Sequence, residues 1–528
     1  MNSRPENPES PYSSAEEWRP EHSPWLIAPA VMLATFMEVL DTSVANVSLP
    51  HIAGDLSAGL DESTWVLTSY LVSNAIFLPL SGWFSTLFGR KRFYMVCVAV
   101  FTVSSLLSGL APNLSMLVLA RILQGAGGGA LQPISQAILV ESFPRKKRGM
   151  AMAVYGMGVV FAPIIGPTLG GWITDNFNWR WIFLINIPVG VLSLLMTSWL
   201  VSDPPYLVRR RPGEDFQIDC VGLGFLGVGL GFLQVVLDTG QRDDWFSSPS
   251  ITRYSILAAV GLAGMVVWEL RQKRPIVDLR LLKDRNFALA TCTMFMLGVM
   301  LYGSTVLLPI FLQTLMGYTA MLSGMVISPG GIVVVFVMPV VGWLLGLFEA
   351  RWLVMWGILM NSLALVLMSR FNLNVDFTTA ASVRVLQGFG LAFLFVPINT
   401  TAFSFISKEK TNQAAGLINL ARNIGGSVGI SWVTTLLERR TQFHHSVLAS
   451  HITPYDFPYR DAVREATHML MLRGANASQA LIESQALLAR LLYRQARMLA
   501  FIDCFWLLGV VFLAILPLMF FTKKTHPR

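Results

Sequence analysis

Apolar runs of roughly 20 residues, each long enough to cross a hydrocarbon core of about 30 Å, recur from Trp25 to Phe521. Short polar or basic stretches separate them. The apolar positions are continuous rather than alternating, so the pattern predicts spanning helices and excludes a membrane β-barrel, whose strands alternate. We read fourteen spans, over residues 25–48, 64–87, 93–111, 114–139, 149–172, 181–201, 219–238, 253–270, 287–312, 322–346, 352–370, 377–404, 414–437 and 498–522. An even number puts both termini on one side. Arg90/Lys91/Arg92, Arg145/Lys146/Lys147/Arg148, Arg209/Arg210/Arg211, the six basic residues from Arg271 to Arg285, Arg351 and Lys408/Lys410 fall in alternate loops, and Lys523/Lys524/Arg528 follow the last span. The opposite short loops hold isolated ones such as Arg180, Arg242 and Arg370. The positive-inside rule therefore predicts cytoplasmic termini.

Two patterns recur at nearly one offset. Pro79-Leu-Ser-Gly82-Trp83 through Leu87-Phe88 is echoed by Pro339-Val-Val-Gly342-Trp343 through Leu347-Phe348, 260 positions later. Arg121-Ile-Leu-Gln124-Gly125-Ala-Gly127 is echoed by Arg384-Val-Leu-Gln387-Gly388-Phe-Gly390, 263 positions later. The repeat predicts an all-α membrane fold of two parallel six-helix bundles with a site between them near the midplane. The expected organisation is a disordered cytoplasmic tail at 1–24, an N-terminal bundle at 25–201, a linker with two extra spans at 202–286, a C-terminal bundle at 287–522 and a short tail at 523–528. Within the second bundle, residues 438–497 are expected on the outer side, and Ser478 to Arg497 has the spacing and composition of an amphipathic helix that runs into the last span. That segment reads either as a cap on the outer face or as a docking surface.

Composition supports the membrane assignment: of 528 residues 54% are hydrophobic and 13% charged, against roughly 25% charged in soluble globular chains. The net charge of +8 is spread over loops between apolar runs, which topology explains without nucleic acid. Cys97, Cys220, Cys292 and Cys504 have no paired spacing, so neither a disulfide framework nor a metal site is expected. No signal-peptide pattern is present at the start. Phosphate-binding and zinc-hydrolase motifs are missing, so no enzyme activity, cofactor or ATP-driven pumping is expected, and the energy source is an ion gradient or the substrate's own.

Charged groups inside apolar runs carry the candidate chemistry. Glu38 and Asp41 lie within the first span. A charge at bilayer depth costs a few kcal/mol, which marks proton or cation handling on a transport path. Three positions apart, the two carboxyls project from one helical face, and their mutual repulsion in a low-dielectric cavity favours one shared proton. Arg121 in span 4 cannot lose its proton and needs an acceptor; Asp41 is the natural partner, as a static ion pair or as one whose approach expels the proton of Asp41. Arg384 in span 12 and Arg422 in span 13 read as structural or path-lining, and Asp503 as interfacial. Gly125, Gly127, Gly128, Gly129, Gly166, Gly170 and Gly171 let helices approach and slide, with Pro167 as a kink. Met294, Met296, Met300, Tyr302, Phe311 and Gln313 in span 9 and Phe389, Phe393 and Phe395 in span 12 supply core, lipid-facing or adaptable cavity wall.

These residues resemble the fourteen-helix drug/proton antiporter branch of the major facilitator superfamily, the EmrB/QacA type. Leu40-Asp41-Thr42 through Asn46 to Pro50 is similar to its first-span signature, and Gly82 through Gly89, Arg90 and Arg92 to the superfamily's loop motif after span 2. Leu117 through Arg121, Gln124, Gly125 and Gly127 resembles the span-4 motif, Gly166-Pro167-Thr-Leu-Gly170-Gly171 the antiporter motif of span 5, and Trp179-Arg180-Trp181 through Asn186, Pro188 and Gly190 the approach to span 6. One position departs: the loop motif's acidic residue is Thr86 here, so its cytoplasmic latch must rest on hydrogen bonds or on Arg90 and Arg92 pairing elsewhere. The resemblance implies a multi-pass inner-membrane antiporter exporting amphipathic toxic compounds for protons, with Asn46, Gln124, Tyr302, Phe311, Arg384 and Arg422 as substrate-path candidates. The EmrB type further implies a periplasmic adaptor and outer-membrane channel, whereas the QacA type works alone. The rivals are an importer, a specific exporter of a metabolite, lipid or siderophore, and a membrane binding or assembly protein that moves nothing.

Overall fold

The computed structural model describes residues 20–144, 147–204, 219–272, 275–407, 410–450, 452–453 and 455–523. The expected tail at 1–19, Arg145, Lys146, Arg209, Arg210, Arg211, Lys273, Arg274, Lys408, Lys524 and Arg528 lie outside them, as does the side chain of Thr86. The regular elements of the described residues are all helices: α1 (Pro24–Asp55), α2 (Leu60–Ser63), α3 (Trp65–Phe88), α4 (Arg90–Gly109), α5 (Leu114–Gly128), α6 (Leu131–Ser142), α7 (Arg148–Asn176), α8 (Trp181–Leu184), α9 (Asn186–Leu200), α10 (Cys220–Thr239), α11 (Pro249–Arg271), α12 (Arg285–Thr314), α13 (Ala320–Leu344), α14 (Ala350–Met368), α15 (Phe377–Ala402), α16 (Thr411–Ser450), α17 (Phe457–Leu472) and α18 (Ala477–Leu513).

Local chemistry sets the boundaries. Asn113, Asp284, Thr319, Asp376 and Asn476 cap their helices by accepting a backbone N–H with the side chain. Gly89, at φ +82°, makes the turn between α3 and α4, a backbone conformation that favours glycine. Span 4 breaks into α5 and α6 at Gly129 and Ala130, and span 6 into α8 and α9 at Ile185.

Thirteen spans among the described residues are long and apolar enough to cross a bilayer. The fourteenth expected span lies in α16, which packs on α12, α18, α3 and α6 and is free to carry Asn412, Asn419, Arg422 and Asn423. The sequence repeat is a packing repeat. In the first half α1 packs on α7, α3 on α5, α4 on α5 and α9; in the second, α12 packs on α16, α13 on α15, α14 on α15 and α18. The bundles meet along two edges, α7 against α13 and α3 with α6 against α16, and the extra pair α10/α11 lies beside the second through α3 and α16.

At residues 438–497 the structure replaces a single appended helix with a longer device. Helix α16 continues to Ser450, α18 begins at Ala477 and runs unbroken into the last span, and α17 packs on α18 between them.

Candidate functional site

The α1 acids are both buried, Glu38 3% and Asp41 2% exposed, and Arg121 on α5 is fully buried beside them. Arg121 Nη1 donates to Asp41 Oδ2 at 2.5 Å and to Gln124 Oε1 at 2.8 Å, while its Nε donates to the Val66 carbonyl at 3.1 Å. Gln124 and Asn186 donate to the other oxygen, Asp41 Oδ1, at 3.0 and 2.8 Å. Asn186 is held by Ser105 at 3.0 Å. The guanidinium also lies 4.2 Å from the centroid of the Tyr70 ring, a favourable cation–π distance. Three side chains from α5 and α9 thus converge on one carboxylate with charge-assisted bonds.

Glu38 has a different set. Tyr70 OH donates to its Oε1 at 3.2 Å, Asn74 Nδ2 to the same oxygen at 3.1 Å, and Gln132 Nε2 to Oε2 at 2.5 Å. The spacing of the acids suggested a shared proton; instead each carboxyl has its own donors, because one helical turn puts Glu38 against α6 and Asp41 against α5 and α9. Tyr70 stands between the two sets, donating to one acid and offering its ring to the counter-charge of the other.

The second bundle repeats the basic half of this arrangement without the acid. Arg384 donates to Gln387, three positions on, as Arg121 does to Gln124, but its other contact is the Thr305 hydroxyl at 3.3 Å, and Gln387 donates to Ser304 at 2.9 Å. Hydroxyls from α12 stand where α1 supplies Asp41, so of the two copies only the N-terminal one carries an acid.

Between the bundles, one face of α16 forms a polar seam. Asn412 donates to Ser85 at 2.9 Å, Asn419 donates to Gln136 Oε1 at 2.5 Å and accepts from Tyr155 OH at 3.1 Å, and Arg422 donates to Gln132 Oε1. Gln136 Nε2 in turn donates to Asn399 on α15 at 2.5 Å. Gln132 and Gln136, one turn apart, present both amides to the same neighbour. The glycines extend the closure: a Cβ on Gly82 would come within 3.1 Å of the Gln413 backbone, and one on Gly342 within 3.1 Å of the Gly149 carbonyl. Ser85, Gly149, Gly342 and Asn412 lie in the terminal turns of their helices on the side where α1 begins, and Asn419 and Arg422 lie about two and three turns farther along α16, so the bundles touch from that side inward.

Other expected residues divide. Arg90 forms a buried two-pronged ion pair with Glu141 at 2.7 and 3.0 Å inside the first bundle, while Arg92 is exposed. The loop latch is therefore an α4–α6 pair, and the inter-bundle role passes to the amide seam. Gly125 and Gly127 are pressed against α3 and α4, and Gly166 and Gly170 against α1, all within the first bundle; Gly171 has open space up to Val47 at 4.0 Å. These glycines, with Pro167 inside α7, shape a bundle rather than the surface on which bundles slide. Phe311 is fully buried against Phe371 and Phe501, the core placement that span 9 was also expected to supply. Tyr302 is half-buried against Gly426 of α16. Asn46 is exposed and donates to its own helix at Thr42, 3.1 Å. Asp503 pairs with Arg440 at 2.5 Å and His444 at 2.7 Å, half-exposed on the opposite face. Sequence reasoning passed over Tyr70, Asn74, Gln132, Gln136, Asn399 and Asn419. Their signal was present: amides inside apolar runs, two of them at i and i+4.

Residues 31–430 match the Major Facilitator Superfamily. The chain is 37% identical over 496 residues to the multidrug export protein EmrB of Escherichia coli strain K12, covering 94% of each. It is 39% identical over 495 residues to the fatty acid resistance protein FarB of Neisseria gonorrhoeae, covering 93% of this chain and 94% of FarB. Among solved structures it resembles the proton:xylose symporter XylE at TM-score 0.60 and 14% identity, over 96% of this chain and 97% of that one, a likeness of fold alone. Repeated bundles, a buried acid–arginine centre and relatives matched nearly end to end make one assignment: the chain belongs to the major facilitator superfamily, in its EmrB/QacA-type branch.

Proposed function

We propose that the chain is a drug/proton antiporter that exports amphipathic toxic compounds across the bacterial inner membrane, with both termini cytoplasmic. The observation that carries this is the Asp41–Arg121 centre: a carboxylate in the membrane core, held by an arginine and two amides, that neutralises on taking up a proton. Antiport follows from the exchange of partners. Protonation of Asp41 from outside releases Arg121; the bundles rock to open inward; the proton leaves as Arg121 returns or as substrate binds, and substrate exits on the reverse stroke. The names of the relatives, two of them multidrug export and fatty acid resistance proteins, support small amphipathic cargo. The chain acts as a transporter rather than an enzyme. Half-buried Tyr302, Phe389 and Met296 and the buried cations Arg384 and Arg422 supply candidate contacts for such cargo. A periplasmic adaptor with an outer-membrane channel completes the export route.

The decisive experiment is transport in proteoliposomes with an imposed pH gradient, using cationic, neutral and anionic amphiphiles. Wild type is expected to move several chemical classes and D41N none against the gradient. Undiminished drug-stimulated proton flux in D41N sinks the coupling role, and transport of a single metabolite, lipid or siderophore in place of the panel favours the specific-exporter reading.

A further inference from the structure

We infer that Glu38 is a second proton site, separate from the Asp41–Arg121 centre, and that Gln132 and Arg422 read its charge across the bundle interface and so hold the termini face shut. The inference rests on the antiport reading and deepens it. Glu38, on α1, accepts from Gln132 Nε2 at 2.5 Å, and the oxygen of that same amide accepts from Arg422 on α16. One side-chain amide therefore joins a buried carboxylate in one bundle to a buried guanidinium in the other. Arg422 is 1% exposed, and its Nε has no hydrogen-bond partner. The titratable and charged neighbours of Glu38 are Tyr70 on α3, Tyr155 on α7, Tyr302 on α12 and Arg422 on α16, with Asp41 and Arg121 beyond Tyr70. Asp41 is engaged by Arg121, which leaves Glu38 to balance Arg422.

The amide makes the link directional. With Glu38 ionised, Gln132 has one arrangement that serves both neighbours: its NH2 donates to the carboxylate and its oxygen accepts from the guanidinium. When a proton bonds to Glu38 Oε2, that atom becomes a donor. Gln132 must then turn its oxygen toward Glu38, which aims its NH2 at Arg422, donor against donor. Arg422 cannot shed its charge, and a buried cation without a partner is costly. Separation of α6 from α16 gives it water, and the neighbouring contacts of Asn419 and Asn412 lie on the same helix face and part with it. Proton loading thus opens the termini face, and proton loss to the cytoplasm restores the clasp.

Spin labels at Phe88 and Phe405, exposed residues on the termini face of opposite bundles, report the opening by pulsed electron resonance in nanodiscs without any drug. Wild type is expected to pass from a short to a long distance as pH falls. E38Q, which keeps the shape and removes the charge, should be long at all pH values, with a change of about tenfold or more in the open-to-closed ratio at high pH. E38Q/R422Q should return to the short distance, because the unbalanced cation is gone, and a melting curve of E38Q itself checks that the single variant folds. D41N should retain a pH response. An E38Q variant with the wild-type profile, or an E38Q/R422Q variant as open as E38Q, overturns the inference. If wild-type proteoliposomes show no proton-driven transport, it is the underlying antiport reading that fails.

Discussion

At the scale of single residues, the two halves of the central ion pair are not equivalent. Removing one partner of a buried pair typically costs about 3–5 kcal/mol because the other charge is stranded. Asp41 without Arg121 has a remedy, since it can bind a proton and still accept from Gln124 and Asn186. Arg121 without the carboxylate has none. We therefore expect D41N to lower thermal stability in detergent more than R121Q does. Melting curves of both variants check this, and equal losses would show that the centre is held by shape rather than charge. The same reasoning explains which residues the sequence made visible. A carboxylate or guanidinium inside an apolar run stands out by cost alone, so Asp41, Glu38 and Arg121 were legible. The pairing of Asp41 with Arg121 was legible too; their amide and hydroxyl partners were not, because an amide or hydroxyl at bilayer depth is unremarkable until helix rotation decides what it faces.

At the scale of helices, glycines that look alike along the chain do different work. A Cβ on Gly125 would collide with the Tyr70 carbonyl of α3, inside one bundle, whereas a Cβ on Gly342 would press on Gly149 and Met150 of the other. G125V is expected to lose folding stability by roughly 1–3 kcal/mol, the usual cost of overpacking. G342V should leave melting nearly unchanged and shift the Phe88 to Phe405 distance toward the open form, since the strain is relieved by moving the bundles apart. A large stability loss in G342V with no distance change would assign it to packing. Hydropathy marked where chain enters lipid, and the repeat offset marked which helices correspond, so the spans and the two-bundle plan could be read in advance. Hydropathy does not mark where a helix stops. Leu487, Leu488, Ala489 and their neighbours favour helix in water as well as in lipid, so α18 begins at Ala477, well before its span, and α16 ends well after its own. The placing of Phe311 was open for a related reason: composition says that a span is aromatic, and only its rotation says which rings meet Phe371 and Phe501.

At the scale of the molecule, the helical extensions turn one loop into a structure that stands off the face opposite the termini. Its inner end is braced by Arg440 and His444 of α16 on Asp503 of α18, and Thr467 of α17 meets Ser484 of α18 at 2.9 Å. Farther out it offers Phe457, Leu472 and Ile482, each at least two-thirds exposed at 71%, 75% and 68%, and a groove between α17 and α18 lined by Val463, Thr467, Met471 and Leu481. Apolar side chains concentrated on a projection outside the spans suit a protein partner better than solvent, in keeping with the proposed adaptor. The ion centre lies in the first bundle and the projection belongs to the second, so the two functions should separate on mutation. Replacing residues 452–475 with a short Gly/Ser linker is expected to abolish co-purification of the adaptor and drug resistance in cells, while proton-driven transport by the purified chain in proteoliposomes continues. Point changes to Asp or Ser at Phe457, Leu472 and Ile482 should do the same without shortening the chain. If adaptor binding survives both variants, the projection is a cap on the outer face and the dock lies elsewhere; if transport in proteoliposomes is lost as well, the projection itself is part of the moving machinery.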